Sequence, residues 1–116
     1  MDDGKRAISS TTDGNPPREG YENAGAPAPI NTETGQHEAY WVLSEEERRR
    51  GLQRPLRRSY IHEKCGTETR MSEVIAETYA VDPKYYQATF CVHCRGHFPI
   101  GEQGEFVWED GTKVGT

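Results

Sequence analysis

The sequence predicts a small α+β domain of short antiparallel strands with an inserted helix, preceded by an unstructured arm. Three observations predict it. Apolar residues are scarce before residue 39 and concentrated after it. The strand-forming runs that follow are short and punctuated by Gly, Pro and Asp-Gly. Two pairs of metal-ligand residues, His62-x-x-Cys65-Gly66 and Cys91-x-x-Cys94, sit at the ends of two such runs. A tetrahedral zinc ion takes four thiolate or imidazole ligands, and two ligands separated by two residues reach one ion when the backbone between them turns tightly. The expected fold class is therefore zinc-ribbon-like, with two zinc knuckles carried on short antiparallel strands.

The division of the chain follows from composition. Only 33% of its 116 residues are hydrophobic, and the mean hydropathy is −0.93. Residues 1–38 hold little apolar material beyond scattered Ala, Ile8, Tyr21 and Ile30, and are rich in Gly, Pro, Ser, Thr and Asn. Such a segment buries too little surface to offset the entropy of ordering it, so residues 1–38 are expected to be a disordered acidic arm and residues 39–116 the domain. Of the net charge of −5, most falls in the arm, where Asp2, Asp3, Asp13, Glu19, Glu22, Glu33 and Glu38 face only Lys5, Arg6 and Arg18. The acidic start lacks the apolar core of a signal peptide, and no run approaches the roughly 20 apolar residues of a membrane span. A soluble protein of the cytoplasm is expected.

The elements follow in order. Tyr40, Trp41, Val42 and Leu43 form an apolar lead into the domain. Residues 44–51 predict a short helix: Ser44 caps it, Glu47 completes an S-x-x-E capping box, the acids precede the arginines as the macrodipole favours, and Gly51 suits the left-handed position past the end. Pro55 stops that helix, and residues 56–61 predict a strand leading to the first ligand pair. Residues 67–69 predict a returning strand. Ser72 opens a second helix over 72–80, with Val74, Ile75, Thr78 and Tyr79 at helical spacing, ended by Asp82-Pro83. Strands are predicted at 89–90 and 98–100 on either side of the second pair. Asp110-Gly111 predicts a hairpin between 105–108 and 113–114.

The ligand set expected for one structural zinc is His62, Cys65, Cys91 and Cys94. His97, three residues after Cys94, is a rival for the fourth place; His93, between the two cysteines, is expected to point away. Gly66 and Gly96 follow the two pairs and would let backbone N–H groups face the thiolates. Three cysteines cannot complete a disulfide framework within one chain, whereas a domain of this size usually needs a staple. Structural zinc contributes about 10–16 kcal/mol in finger peptides at neutral pH, so folding coupled to metal is expected.

Other chemistries are less well served. A catalytic thiol at Cys91 with His93 or His97, or a redox use of Cys91 and Cys94, lacks its usual βαβ context. A catalytic zinc would need an open position and a carboxylate base such as Glu63 or Glu68. Arg48, Arg49, Arg50, Arg54, Arg57 and Arg58 form a basic cluster that, with nearby aromatics, would suit nucleic acid. Three glutamates precede the arginine run, however, and such runs are more often solvated helix faces laced by ion pairs.

Several segments also carry a resemblance. Trp41-Val42-Leu43-Ser44-Glu45-Glu46-Glu47, Arg54-Pro55-Leu56-Arg57-Arg58-Ser59-Tyr60, His62-x-x-Cys65-Gly66, Phe90-Cys91-x-x-Cys94 and Phe106-Val107-Trp108-x-Asp110-Gly111-Thr112 are similar to segments of small proteins from tailed bacteriophages and prophages. The resemblance covers about the last two thirds of the chain. It implies a phage origin, a bacterial host cytoplasm and a zinc-ribbon-like module, and it implies no activity. The function expected is a non-enzymatic module that binds a host or phage protein. Nucleic-acid binding through the arginine cluster is the alternative, and a zinc- or thiol-dependent enzyme comes after it.

Overall fold

The computed structural model describes residues 9–116, and expectations that concern residues 1–8 lie outside them. Its elements are β1 Ser9–Thr11, β2 Trp41–Leu43, α1 Glu45–Arg48, β3 Ser59–His62, β4 Glu68–Arg70, α2 Glu73–Val81, β5 Ala88–Cys91, β6 Gly96–Pro99 and β7 Phe106–Trp108. The strands form three antiparallel sheets: β1 with β2, β4-β3-β7, and β5 with β6. The chain is thus a small mixed α/β protein with antiparallel strands and two helices, as expected at that level.

Strand alternation puts the core on one face of the three-stranded sheet. Tyr60 lies opposite Thr69 on β4 and Trp108 on β7, and His62 lies opposite Phe106. Successive strand residues face opposite sides, so Tyr60 and His62 point the same way, as do Phe106 and Trp108, and all four are buried. Tyr60, Tyr79, Cys91, Phe106, Trp108 and Val114 form the central cluster, with Cys65, Met71 and Phe98 packed against it. Of the ligand residues, His62 and Cys91 therefore lie in the core, Cys65 packs at its edge and Cys94 is exposed.

The helices bear out the expected end signals in part. Ser44 Oγ accepts the Glu47 N–H at 3.3 Å, with the three glutamates in the first turn of α1. The helix ends sooner than expected, at Arg48: Arg50 N–H bonds Glu47 O, three residues back, and Gly51 leaves with φ +128. Four residues with no buried side chain have little to hold a further turn. Arg48 instead fastens α1 to its surroundings, with Nε donating to Leu43 O at 2.9 Å and a guanidinium nitrogen to Glu77 at 2.7 Å. In α2, Ala76, Thr78, Tyr79 and Ala80 are buried, and Thr78 Oγ1 donates to Val74 O while accepting the Leu43 N–H. Ser72 begins α2 without the expected side-chain cap bond. At the far end, Trp108 N–H bonds Thr112 O and Val107 bridges Lys113, which closes the Asp110-Gly111 turn with Gly111 at φ +90.

Residues 9–38 differ from the expectation of a disordered arm: they are laid onto the domain. β1 pairs with β2, Trp41 Nε1 donates to Ala24 O at 2.9 Å, and Ser9 Oγ bonds the Tyr85 hydroxyl at 2.6 Å. Ala26, Pro27, Ala28 and Ala39 are buried. The backbone is satisfied by turns, as where Arg18 N–H meets Pro27 O and Asn31 N–H meets Gln36 O. The composition misled because these residues bury small side chains. Their large apolar partners, above all Trp41, belong to the domain.

One close approach ties this segment to the second ligand pair. Gly35, at φ +86, lies so near the Arg95 backbone that a Cβ there would fall 2.6 Å from Arg95 O. Both the conformation and the space require glycine. Gly35→Ala is expected to cost about 1–3 kcal/mol in chemical denaturation and to raise amide exchange at Thr12 and Glu38, whose N–H groups bond Tyr40 O and Pro29 O. Unprotected amides in the parent protein would instead restore the unstructured arm.

Candidate metal centre

Each ligand pair caps a hairpin. Between β3 and β4 the chain turns so that Cys65 and Gly66 N–H both bond His62 O, at 3.2 and 2.7 Å, and His62 N–H bonds Thr67 O. Gly66 takes φ +74, a left-handed position that glycine adopts without strain. Between β5 and β6, Arg95 N–H bonds Cys91 O at 2.8 Å and Cys94 N–H points at Cys91 Sγ at 3.4 Å. Here the left-handed residue is Arg95, at φ +58, and not Gly96. Gly96 is already paired with Cys91 in the ladder, so the turn must close one residue earlier.

The two hairpins belong to different sheets, and their tips meet. One ligand atom each from His62, Cys65, Cys91 and Cys94 lies within 4.8 Å of the others. Cys65 Sγ is 3.6 Å from Cys91 Sγ and 3.5 Å from His62 Nδ1, and Cys94 Sγ is also 3.5 Å from His62 Nδ1. A disulfide would bring two sulfurs to about 2.05 Å, so these are free cysteines. A tetrahedral ion with metal–sulfur bonds of about 2.3 Å and a metal–nitrogen bond of about 2.05 Å sets edges of roughly 3.8 and 3.6 Å. The donor set fits a metal ion in both chemistry and spacing.

His62 is held for this role on every side. Its ring stacks between Phe98 and Phe106, each 4.7 Å away between centroids, and it is 2% exposed. Nε2 lies 2.7 Å from Glu105 Oε1. An ionised carboxylate only accepts, so Nε2 carries the proton and the Nδ1 lone pair is left facing the sulfurs. The bond from His62, followed by the nearby Lys64 ammonium at 3.4 Å, holds the Glu105 carboxyl below the usual range. Such a carboxylate–histidine pair orients a ligand and raises its basicity. Nothing in residue order marks Glu105, because it reaches His62 only through the long-range pairing of β3 with β7.

The thiols divide the charge unevenly. Burial resists ionisation of Cys65, but the Thr67 backbone and hydroxyl, with Cys91 and His62, bring it down to about 6. Burial and the neighbouring sulfurs of Cys91 and Cys65 push Cys94 up to about 11. Three sulfurs this close cannot all carry charge without a cation among them.

His97, the rival ligand, lies elsewhere. Its Nε2 bonds the Tyr40 hydroxyl at 2.8 Å, and its ring rests against Tyr40, His37 and Phe90. Tyr40 Oη also accepts the His37 N–H at 3.1 Å. His93 is exposed, as expected. Glu63 is paired with Lys113 at 2.6 Å, which occupies one of the carboxylates considered as a base.

The arginine cluster is largely paired. Arg48 meets Glu77, Arg49 meets Glu45, Arg50 meets Glu47, Arg57 meets Asp110 and Arg58 meets Glu73. Arg57 also stacks over Trp108 at 4.6 Å, and Arg54 donates to the carbonyls of Gln53 and Thr116. Among the described residues no helix is long and apolar enough to cross a membrane. Comparison of the chain with family models, with curated proteins and with solved structures finds no match.

Two measurements check this geometry. In competition with a chromophoric chelator, His62→Ala should abolish stoichiometric metal binding and Glu105→Gln should weaken it about 10–100-fold, while His97→Ala should retain it. Loss of the metal in His97→Ala alone would reverse the assignment. The second concerns pH. Burial, then the adjacent His37, lowers the His97 pKa below 6.5. The detached state therefore binds the proton more readily, so the Tyr40–His97 contact contributes fully above about 6.5 and weakens as pH falls through the lowered value. NMR titration of the His97 ring should give a pKa below 6.5; a value at or above 6.5 would refute the half-buried, neutral placement.

Proposed function

We propose that the chain is a non-enzymatic binding module, zinc-ribbon-like, folded around one structural zinc ion and acting by binding a protein partner. The observation that carries this reading is the convergence of one imidazole and three thiols from two hairpin tips at tetrahedral spacing. Zinc is the ion that this donor set suits best, since three sulfurs and one imidazole favour a tetrahedral, borderline-soft cation. Four protein ligands complete such a site and leave no position for a substrate. Glu105, the carboxylate closest to it, is occupied in orienting His62.

A protein partner is preferred to nucleic acid because five of the six arginines in the basic cluster already face carboxylates of the chain itself. Phosphate binding needs cations free to displace counterions, and each of these pairs would have to break first. The motif resemblance supports a phage or prophage origin and, with it, a partner in the host cytoplasm or among phage proteins.

Under reducing conditions, the chain should bind one equivalent of zinc, and chelation should collapse its dispersed amide spectrum. The zinc-loaded form should then retain a defined protein from bacterial lysate that the chelated form does not. An unchanged spectrum after chelation would overturn the structural role of the metal. Tight, salt-dependent binding of DNA or RNA, lost in Arg57→Ala/Arg58→Ala, would replace the protein partner with nucleic acid.

A further inference from the structure

The three-stranded sheet carries one open edge. At other strands around the core, backbone groups that point away from a ladder are met by other parts of the chain. β7 is closed by the returning segment, with Trp108 N–H on Thr112 O and Val114 N–H on Phe106 O. β2 is met by side chains: the Thr78 hydroxyl takes Leu43 N–H, Arg48 reaches Leu43 O and Tyr86 reaches Trp41 O. β5 is met in the same way, Phe90 O by Tyr60 and the following Val92 N–H by Thr69. Among the described residues, nothing covers the outer edge of β4 in this way.

The register identifies the groups left over. His62 N–H bonds Thr67 O and Met71 N–H bonds Arg58 O, so the hydrogen-bonded pairs between β3 and β4 alternate through Tyr60–Thr69. Glu68 and Arg70 are the intervening residues, and their N–H and C=O groups point away from β3. Their side chains lie on the face opposite to that of buried Thr69, and both residues are exposed. Neither side chain has an ion-pair or hydrogen-bond partner among the described residues.

An open edge is a template for another strand, and charges on it decide which strand is accepted. Antiparallel pairing of two β4 strands about a two-fold axis at Thr69 sets Glu68 of each copy opposite Arg70 of the other. These are the residues whose backbone groups are free, so each pair exchanges both ladder bonds and brings opposite charges together on one face. A slip of two residues would instead oppose Arg70 to Arg70 or Glu68 to Glu68. At the ends of this ladder Ser72 falls opposite Gly66, around which the space is open. The Glu68-Thr69-Arg70 edge is therefore complementary to itself in one register.

We infer that β4 is a self-association edge, through which two copies of the chain join their three-stranded sheets into one. The inference rests on the β3–β4 ladder and not on the identity of the metal. A ladder this short makes a weak, reversible dimer, with a dissociation constant on the order of 0.1–1 mM.

The test follows the full, reduced, zinc-loaded chain by sedimentation equilibrium and by NMR across a dilution series. In a mixture of labelled and unlabelled chains, isotope-filtered spectra should show Thr69 Hα of one copy against Thr69 Hα of the other, since the non-hydrogen-bonded pair is where strands approach most closely. Glu68→Arg and Arg70→Glu each oppose like charges, and each alone should weaken self-association about tenfold. An equimolar mixture of these two variants restores opposite charges at both pairs and should associate as tightly as the parent. The double variant Glu68→Arg/Arg70→Glu, which only exchanges the two signs, should also match the parent. A parent chain that stays monomeric at millimolar concentration would overturn the interface. So would single variants that associate like the parent, or a mixture no tighter than its components.

Discussion

The meeting of two hairpin tips at one imidazole and three sulfurs is the constraint on which the rest of the structure depends. β3 and β5 share no ladder, so nothing in the sheet hydrogen bonds fixes one hairpin against the other. The link is made by side chains: Tyr60 donates to Phe90 O, Thr69 Oγ1 accepts the Val92 N–H, and at the tips His62 and Cys65 from the first hairpin meet Cys91 and Cys94 from the second. Because Cys91 is fully buried within the Tyr60–Phe106–Trp108 cluster, the ligand set grows out of the core at His62 and Cys91 and reaches the surface at Cys94. An unfilled cluster would place close thiols and a buried imidazole at the edge of a small core, each favouring a different charge. A cation held there would resolve that conflict and join the sheets in one step.

His62 shows how tightly the roles are combined. It is a ladder residue opposite Phe106, a ring sandwiched between two phenylalanines, a donor to Glu105 and a lone pair facing the sulfurs. Each role restricts the ring in a different direction, so little freedom is left to lose on binding an ion. His97, one hairpin strand away, is used differently. It holds the Tyr40 hydroxyl and thereby the segment that runs up to β2, while Gly35 brings the same segment onto the Arg95 turn. The covering segment and the metal centre thus meet at the second hairpin, through backbone contact on one side and a half-buried hydrogen bond on the other.

The charged residues follow a simple division. The helix α1 arginines and their neighbours are paired within the chain, mostly at the surface, where each pair is worth about 0–1 kcal/mol. They set the local geometry of α1 and the β7 turn more than they stabilise the whole.

Much of this was legible in residue order. The spacing of His62, Cys65, Cys91 and Cys94 marked the cluster, Ser44 and Glu47 marked α1, and Asp110-Gly111 marked the last turn, because each is a local signal within a few residues. What the sequence left open was decided at long range. His62 rather than His97 joins the sulfurs because β3 pairs with β7, which sets His62 between Phe106 and Glu105, while the β5–β6 register turns His97 towards Tyr40. Residues 9–38 are covered by the same kind of contact: small buried groups such as Ala26 and Ala28 carry no hydropathy signal, and they gain their stability from Trp41 and the ladder to β2. Sequence alone determined which residues were able to bind a metal. Tertiary structure decided which of them meet, because convergence depends on sheet register and packing between segments that are far apart in the chain.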